Sequence, residues 1–286
     1  MKKIIISLVS ISSIIYSNSC RVPAKIAPYI VKSGLQNLSY ISDVKRNYQN
    51  LSSLCLNLIS FKEHNLTWKL LLITNPNRNS GLFWFLPHDN ENSAFDAGIY
   101  AIKRYGGGLL AIVNSNKRYN AWQDPNRNFS YSREKLSSCK EQKAASPIYT
   151  NMIFSIIDYY KAPNLPYLAL HNNTNKGGIS ILKSSPKVKS FLAYKKSQIN
   201  SKNPLTDEDN LVYTAGLTNT PPNRVYRLLK SGLNVKYEVV NSNNNDCSMS
   251  NFVVIEKGVT NYYNIEAQHG KTYIQKVMID RLIKSL

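Results

Sequence analysis

Short apolar runs punctuate a mostly polar chain. They fall at residues 68–74, 81–86, 109–113, 167–170, 235–240, 252–255 and 262–265. Runs of four to seven residues bounded by Gly, Pro, Asn or Ser are too short for core helices, so they read as buried strands of one sheet. Between and after them, apolar positions recur at helical spacing over 93–104, ending at Gly106, and over 147–160, ending before Pro163. The same spacing recurs over 222–230, ending near Gly232, and from Thr272 to the carboxyl terminus. This interleaving predicts an α/β layered domain, not an all-β sandwich or a helix bundle.

Three stretches lack such signals. Residues 20–65 are polar and mixed, and read as a lead-in segment or helical hairpin with no assigned chemistry. Residues 172–210, punctuated by Gly177, Gly178, Pro186 and Pro204, read as long loops that border a binding site or form a surface insertion. The Asn-rich residues 241–246 read as a solvated hairpin connection between two strands.

The amino terminus carries an address. Lys2 and Lys3 precede an apolar stretch over 4–16, then Ser17, Ser19 and Cys20, the layout of a secretory signal over 1–19. Thirteen residues interrupted by serines are shorter than the ~20 a spanning helix needs, so no transmembrane span is expected in the mature chain. Cleavage before Cys20 would expose a cysteine that could be acylated as in a bacterial lipoprotein, and ordinary cleavage is the alternative. The expected layout is a signal over 1–19, a lead-in over 20–65 and the main folded domain over 66–286, exported to the periplasm or cell envelope. Cys55, Cys139 and Cys247 are too widely spaced for a thiolate metal site but permit one disulfide.

Composition narrows the class of partner. The 286 residues are 43% hydrophobic and 19% charged, which suits a folded globule. Lys plus Arg number 36 against 17 Asp plus Glu, for a net charge of +19. A chain so basic is drawn to polyanions such as an anionic envelope polymer. Its cations are scattered and no nucleic-acid-binding motif is present, so no specific nucleic acid is expected.

Only four histidines occur, at 64, 88, 171 and 269. His88 and Glu91 form an H-x-x-E pair directly after the apolar run 81–86. At a strand end, an imidazole and a carboxylate at this spacing can converge on one cation, and His171, at the tip of the run 167–170, could complete a His, Glu, His zinc set. Each is equally what an ordinary loop histidine looks like. Asn126 and Arg127 set an amide beside a guanidinium, a pair able to grip a carboxylate. Glu266, at the tip of the last apolar run, could serve as a general base. His269, three residues on, could orient that base or be purely structural.

Taken in order, His88-x-x-Glu91, Asn126-Arg127 within Asp-Pro-Asn-Arg-Asn-Phe, His171 after an apolar strand, and Glu266 within Asn-Ile-Glu-Ala resemble the zinc carboxypeptidase superfamily. That superfamily includes metallocarboxypeptidases, murein peptide amidases and the succinylglutamate desuccinylase and aspartoacylase group. The resemblance implies a three-layer α/β/α sandwich around a mixed, mostly parallel sheet. It also implies zinc held by His88, Glu91 and His171, a substrate carboxylate held by Asn126 and Arg127, and Glu266 as catalytic base. Arg104 and Arg118 both lie where the family's carbonyl-polarising arginine falls, and Tyr194, Tyr213 and Tyr237 compete for the substrate-flanking tyrosine. The expected activity is a zinc metallopeptidase or amidase acting on a carboxylate-bearing peptide, with a peptidoglycan stem peptide the favoured substrate. An N-acyl amino acid deacylase and an inactive envelope-binding protein of the same fold are the alternatives.

Overall fold

Six of the seven apolar runs are strands. The computed structural model describes residues 20–134, 139, 142 and 144–286, and the leader read over 1–19 lies outside them. The strands are β1 (Ile30–Ser33), β2 (Cys55–Glu63), β3 (Leu66–Thr74), β4 (Phe83–Leu86), β5 (Gly108–Ile112), β6 (Tyr167–Asn173), β7 (Val188–Phe191), β8 (Leu211–Gly216), β9 (Val235–Val239) and β10 (Tyr262–Gln268). They form one ten-stranded sheet in the order β1-β2-β3-β5-β4-β6-β10-β8-β9-β7. The central strands β5, β4, β6 and β10 run parallel, while β1, β2 and β3 pair antiparallel on one side. On the other side β8 pairs antiparallel with β10 and parallel with β9, and β7 pairs antiparallel with β9.

The helices are α1 (Leu35–Leu38), α2 (Ser42–Arg46), α3 (Tyr48–Leu51), α4 (Asn92–Tyr105), α5 (Pro147–Tyr160), α6 (Asn223–Lys230), α7 (Met249–Ile255) and α8 (Thr272–Ser285). Because side chains alternate across a strand, β4 sends Trp84 and Leu86 into a core with α4, α6 and α8, and Phe83 and Phe85 into a second core with α5 and α7. The result is the expected three-layer sandwich around a mixed sheet, but the sheet is not mostly parallel: five of its nine strand pairings are antiparallel, because β1–β3, β7 and β8 add antiparallel pairings to the parallel centre. Gly98 lets α4 lie close to the sheet, since a Cβ there would stand 3.0 Å from Leu109 Cδ2 and 3.3 Å from Leu170 Cδ1.

Several expectations change. The run 252–255 lies in α7, not in a strand. Ser248 Oγ accepts the Asn251 N–H and caps the helix start, and four apolar residues are too few for their period to separate one helical turn from a strand. Residues 241–246 therefore contain a 3-10 turn, Ser242–Asn244, that leads into a helix and not a hairpin. The segment 20–65 supplies α1 to α3 and also β1 and β2, so the sheet begins well before residue 66. In β2 the polar Asn57 and Glu63 are buried, which hides the strand from a reading based on apolar runs.

Two disulfides close the chain on itself, Cys20 with Cys55 and Cys139 with Cys247, and no described cysteine is free. The expectation of a lipid anchor at Cys20 is corrected here, because a sulfur bonded to Cys55 has no thiol left to acylate. Disulfides form and persist in oxidising, extracytoplasmic compartments. Among the described residues, no helix is long and apolar enough to cross a membrane.

Candidate functional site

The carboxyl ends of the parallel strands meet on one edge of the sheet, where ligand sites of open α/β sheets lie. His88 and Glu91 occupy the turn from β4 into α4, and His171 sits on β6. One ligand atom from each of the three falls within 4.8 Å of the others. All three are buried, at 0%, 1% and 4% exposure.

Hydrogen bonds fix these side chains. His88 Nδ1 is 2.8 Å from Glu91 Oε1, and its Nε2 is 2.8 Å from Asp124 Oδ1. Each ring nitrogen thus faces a carboxylate oxygen. The ring is either held as imidazolium or is neutral, with its Nδ1 lone pair free to bind a cation shared with Glu91 and its Nε2–H donated to Asp124. Burial opposes charge on His88, but Glu91 and Asp124 outweigh it and raise its pKa. Burial likewise opposes charge on Glu91, yet His171 and His88 pull its carboxyl far below the usual range. Asp124, buried but bonded to His88 and near Arg118, is drawn down to about 2.

His171 Nδ1 lies 3.3 Å from Glu91 Oε2, while its Nε2 is buried with no hydrogen-bond partner. An orphaned buried nitrogen is costly, and a cation would relieve it. Two imidazoles and a carboxylate are also a donor set that divalent metals accept. The site therefore fits a metal ion.

Further hydrogen bonds hold this corner in place. The Asn172 N–H donates to Glu91 Oε2 at 3.0 Å, and Asn172 Oδ1 accepts the Ala94 N–H at the start of α4. Gln275 of α8 donates to the His171 carbonyl at 2.9 Å and accepts from Asn172 Nδ2 at 3.0 Å. Asp89 Oδ2 accepts from the N–H groups of Asn114 and Asn116, which anchors the loop that carries Arg118 and Asp124. Neither Asn172 nor Gln275 has a sequence signal that could have singled it out. Asp124 could have been found, two residues before Asn126 in the same short segment.

Glu266 is the strand partner of His171 on the neighbouring β10 and is 4% exposed. Asn264 Nδ2 donates to its Oε1 at 2.8 Å. Burial raises the Glu266 pKa and Glu91 adds to the rise, against the pull of His171 and Asn264. Glu266 lines a cavity of about 140 Å³ with Asn126, Arg127 and Tyr213. Asp124 Oδ1 accepts the Asn126 N–H at 2.8 Å, so one carboxylate orients both His88 and the turn that carries Asn126 and Arg127.

The structure separates the remaining alternatives by position. Arg118 Nη1 is 3.2 Å from Glu91 Oε1, and its Nη2 is 3.5 Å from Asp124 Oδ2, with the side chain 41% exposed. Arg104 instead faces Asp280 and the Tyr100 hydroxyl on the outer side of α4. Tyr213 lines the cavity, whereas the Tyr194 and Tyr237 hydroxyls donate to the Gly232 and Thr218 carbonyls. His269 is exposed in the turn after β10, and His64 is exposed between β2 and β3, bonded to the Ala145 carbonyl.

No protein-family model matches the chain, and no curated protein matches it. Among solved structures, it is similar to a "putative metallopeptidase" of Shewanella amazonensis at 12% identity and TM-score 0.47, covering 88% of this chain and 92% of that one. It is similar to an aspartoacylase family protein of Mesorhizobium loti at 12% identity and TM-score 0.42, over 82% of this chain and 66% of the other. A "putative carboxypeptidase A" of Shewanella denitrificans is 9% identical with TM-score 0.42, over 90% and 69%.

Proposed function

We propose that the protein is an exported, zinc-dependent amide hydrolase that cleaves a carboxylate-bearing peptide, with a murein stem peptide as its favoured substrate. The observation that carries this reading is the convergence of His88, Glu91 and His171 within 4.8 Å, with Glu266 beside His171 on the next strand. His88, Glu91 and His171 would hold zinc, whose Lewis acidity activates water and polarises a carbonyl.

The chain's own residues do the rest. Glu266, its carboxylate made more basic by burial, takes a proton from the attacking water and returns it to the leaving amine. Arg118, next to Glu91 and reachable from solvent, supplies positive charge for the developing oxyanion. Arg127 and Asn126 hold the free carboxylate of the substrate and so set the scissile amide in place. Asp124 keeps His88 oriented by accepting from its Nε2.

Two disulfides and the leader pattern support a site of action outside the cytoplasm. There wall peptides offer both an amide and free carboxylates, and a net charge of +19 concentrates the protein near an anionic polymer. A second reading, an N-acyl amino acid deacylase, draws on the small cavity, since about 140 Å³ admits little more than one residue. Zinc analysis paired with mass spectrometry of a digested muropeptide mixture tests both. One zinc per chain and release of a terminal residue or peptide are expected. Stoichiometric zinc with cleavage of N-acyl amino acids alone would favour the second reading. Absence of any hydrolysis by the zinc-loaded protein would leave an envelope-binding role.

A further inference from the structure

A second cavity, of about 400 Å³, shares no lining residue with the pocket of Glu266 and Arg127. Its walls are the start of α2 with Tyr40 just before it, the strands β2 and β3, and the loop that leaves β5 at Val113. The segment 20–65, to which the sequence assigned no chemistry, thus supplies one side of it. The volume falls within the roughly 300–1,000 Å³ of small-molecule sites.

The loop wall is held in shape. Asp89 Oδ2 accepts the Asn114 and Asn116 N–H groups at 2.7 and 2.6 Å, Asn114 Nδ2 donates to the Tyr119 carbonyl, and Asn120 Nδ2 donates to the Thr67 carbonyl at 3.1 Å. Ser115 and Asn116, at φ 53° and 61°, both occupy the left-handed region, which residues other than glycine enter at a cost. Such conformations persist where the surroundings fix them, and they cluster at ligand sites.

Charge narrows what the cavity can hold. Asp43 Oδ1 is 2.5 Å from Arg46 Nη2, and Asp89 already holds two backbone N–H groups, so both buried carboxylates are supplied from within the protein. An anion would still face these two acids, and a cation would face Lys69. A neutral ligand rich in hydroxyls meets neither penalty. Carboxylate oxygens accept more than one donor each, and Ser42, Thr67 and Ser115 add hydroxyl side chains to the lining. Ile41 and Leu58 form a buried apolar patch suited to a methyl group, and Tyr40 adds an exposed aromatic ring. A pyranose bearing an acetamido group brings hydroxyls, an amide and a methyl together.

We propose that this cavity binds an N-acetylhexosamine, so that the protein carries a carbohydrate site beside its metal corner. Asp89 directly follows His88, and the loop that lines the cavity at Asn116 reaches Glu91 through Arg118 two residues later. A glycan held there keeps the protein on the polymer whose peptides it cleaves. The site itself does not depend on the hydrolase reading, because its lining contains no proposed zinc ligand, base or carboxylate-binding residue.

The test is calorimetric titration of the full chain with N,N′-diacetylchitobiose and with cellobiose, which has the same sugar skeleton without the acetamido groups. The acetylated disaccharide is expected to bind about tenfold more tightly. Thr67→Trp, at an exposed strand position, should fill the cavity and abolish this binding, and Tyr40→Ala should weaken it about fivefold. The wild-type comparison needs no variant to fold. No binding of the acetylated disaccharide, equal binding of the two, or an affinity unchanged in both variants would overturn the proposal. Selective binding by a protein that cleaves no amide would keep the sugar site and remove the hydrolase. Amide cleavage without any sugar binding would keep the hydrolase and remove the sugar site.

Discussion

The metal corner and the pocket beside it each hold a buried carboxylate, Glu91 and Glu238, yet the two behave in opposite ways. Glu91 faces two imidazoles, Arg118 and the Asn172 N–H, and its pKa is driven down despite complete burial. Glu238 has hydrogen-bond donors of its own, but burial, with Asp246 adding to it, drives its pKa up. Burial raises both groups, so the neighbours decide the sign. In the corner, acids and bases alternate until the named carboxylate oxygens are partnered.

The sharpest way to break this contrast is to remove a ligand from the corner. His88→Ala and His171→Ala should each abolish stoichiometric zinc, measured by elemental analysis. A full metal complement in both variants would falsify the ligand assignment. Glu266→Gln should leave zinc in place and lower kcat by roughly 10²- to 10⁴-fold, so an active variant would remove the general base. Asp124→Asn should weaken zinc about 10- to 100-fold in competition with a chelator, because His88 Nε2 loses its anionic acceptor. Unchanged affinity there would show that the corner does not depend on this contact.

The pocket is probed by smaller effects. Arg127→Ala should raise KM chiefly for substrates with a free carboxylate, and an equal loss on substrates lacking one would contradict its role. Glu238 gives the smallest and most specific signal. With a folded pKa of about 7 against an ordinary value of 4.5, the folded state holds more protons than the unfolded chain between those values. Stability conferred by this group therefore falls as pH rises from about 4.5 to 7. Thermal melts of Glu238→Gln should show a Tm advantage over wild type that grows from pH 5 to pH 8. A constant difference across that range would mean that burial and Asp246 do not raise the pKa of this carboxyl.

Much of the corner was legible in the chain because its pieces are local. His88 and Glu91 are three residues apart at a strand-to-helix turn, and Asn126 and Arg127 are adjacent. His171 and Glu266 end apolar runs, so their strand-tip positions could be read before the strands were known to be neighbours. The run 252–255 reads as a strand but lies in α7, because a single helical turn and a short strand look alike in pattern. The strands β2 and β8 were missed because polar residues interrupt them, including the buried Asn57 in β2 and Thr214 in β8.

The pocket wall was not legible. Glu238 sits mid-strand, Asp246 in an Asn-rich turn and Asn264 two residues before Glu266, and nothing in their local pattern joins them. The parallel pairing of β8 with β9, the antiparallel pairing of β8 with β10, and the turn into α7 bring them together. The amino-acid order alone determined the alternation of strands and helices and the short motifs, because these depend on residue spacing within one element. Only the tertiary structure decided which strand tips stand side by side, that Arg118 and not Arg104 adjoins Glu91, and that Cys20 is bonded to Cys55. Those outcomes depend on pairings between segments far apart in the chain, which the packing of two cores on one sheet selects together.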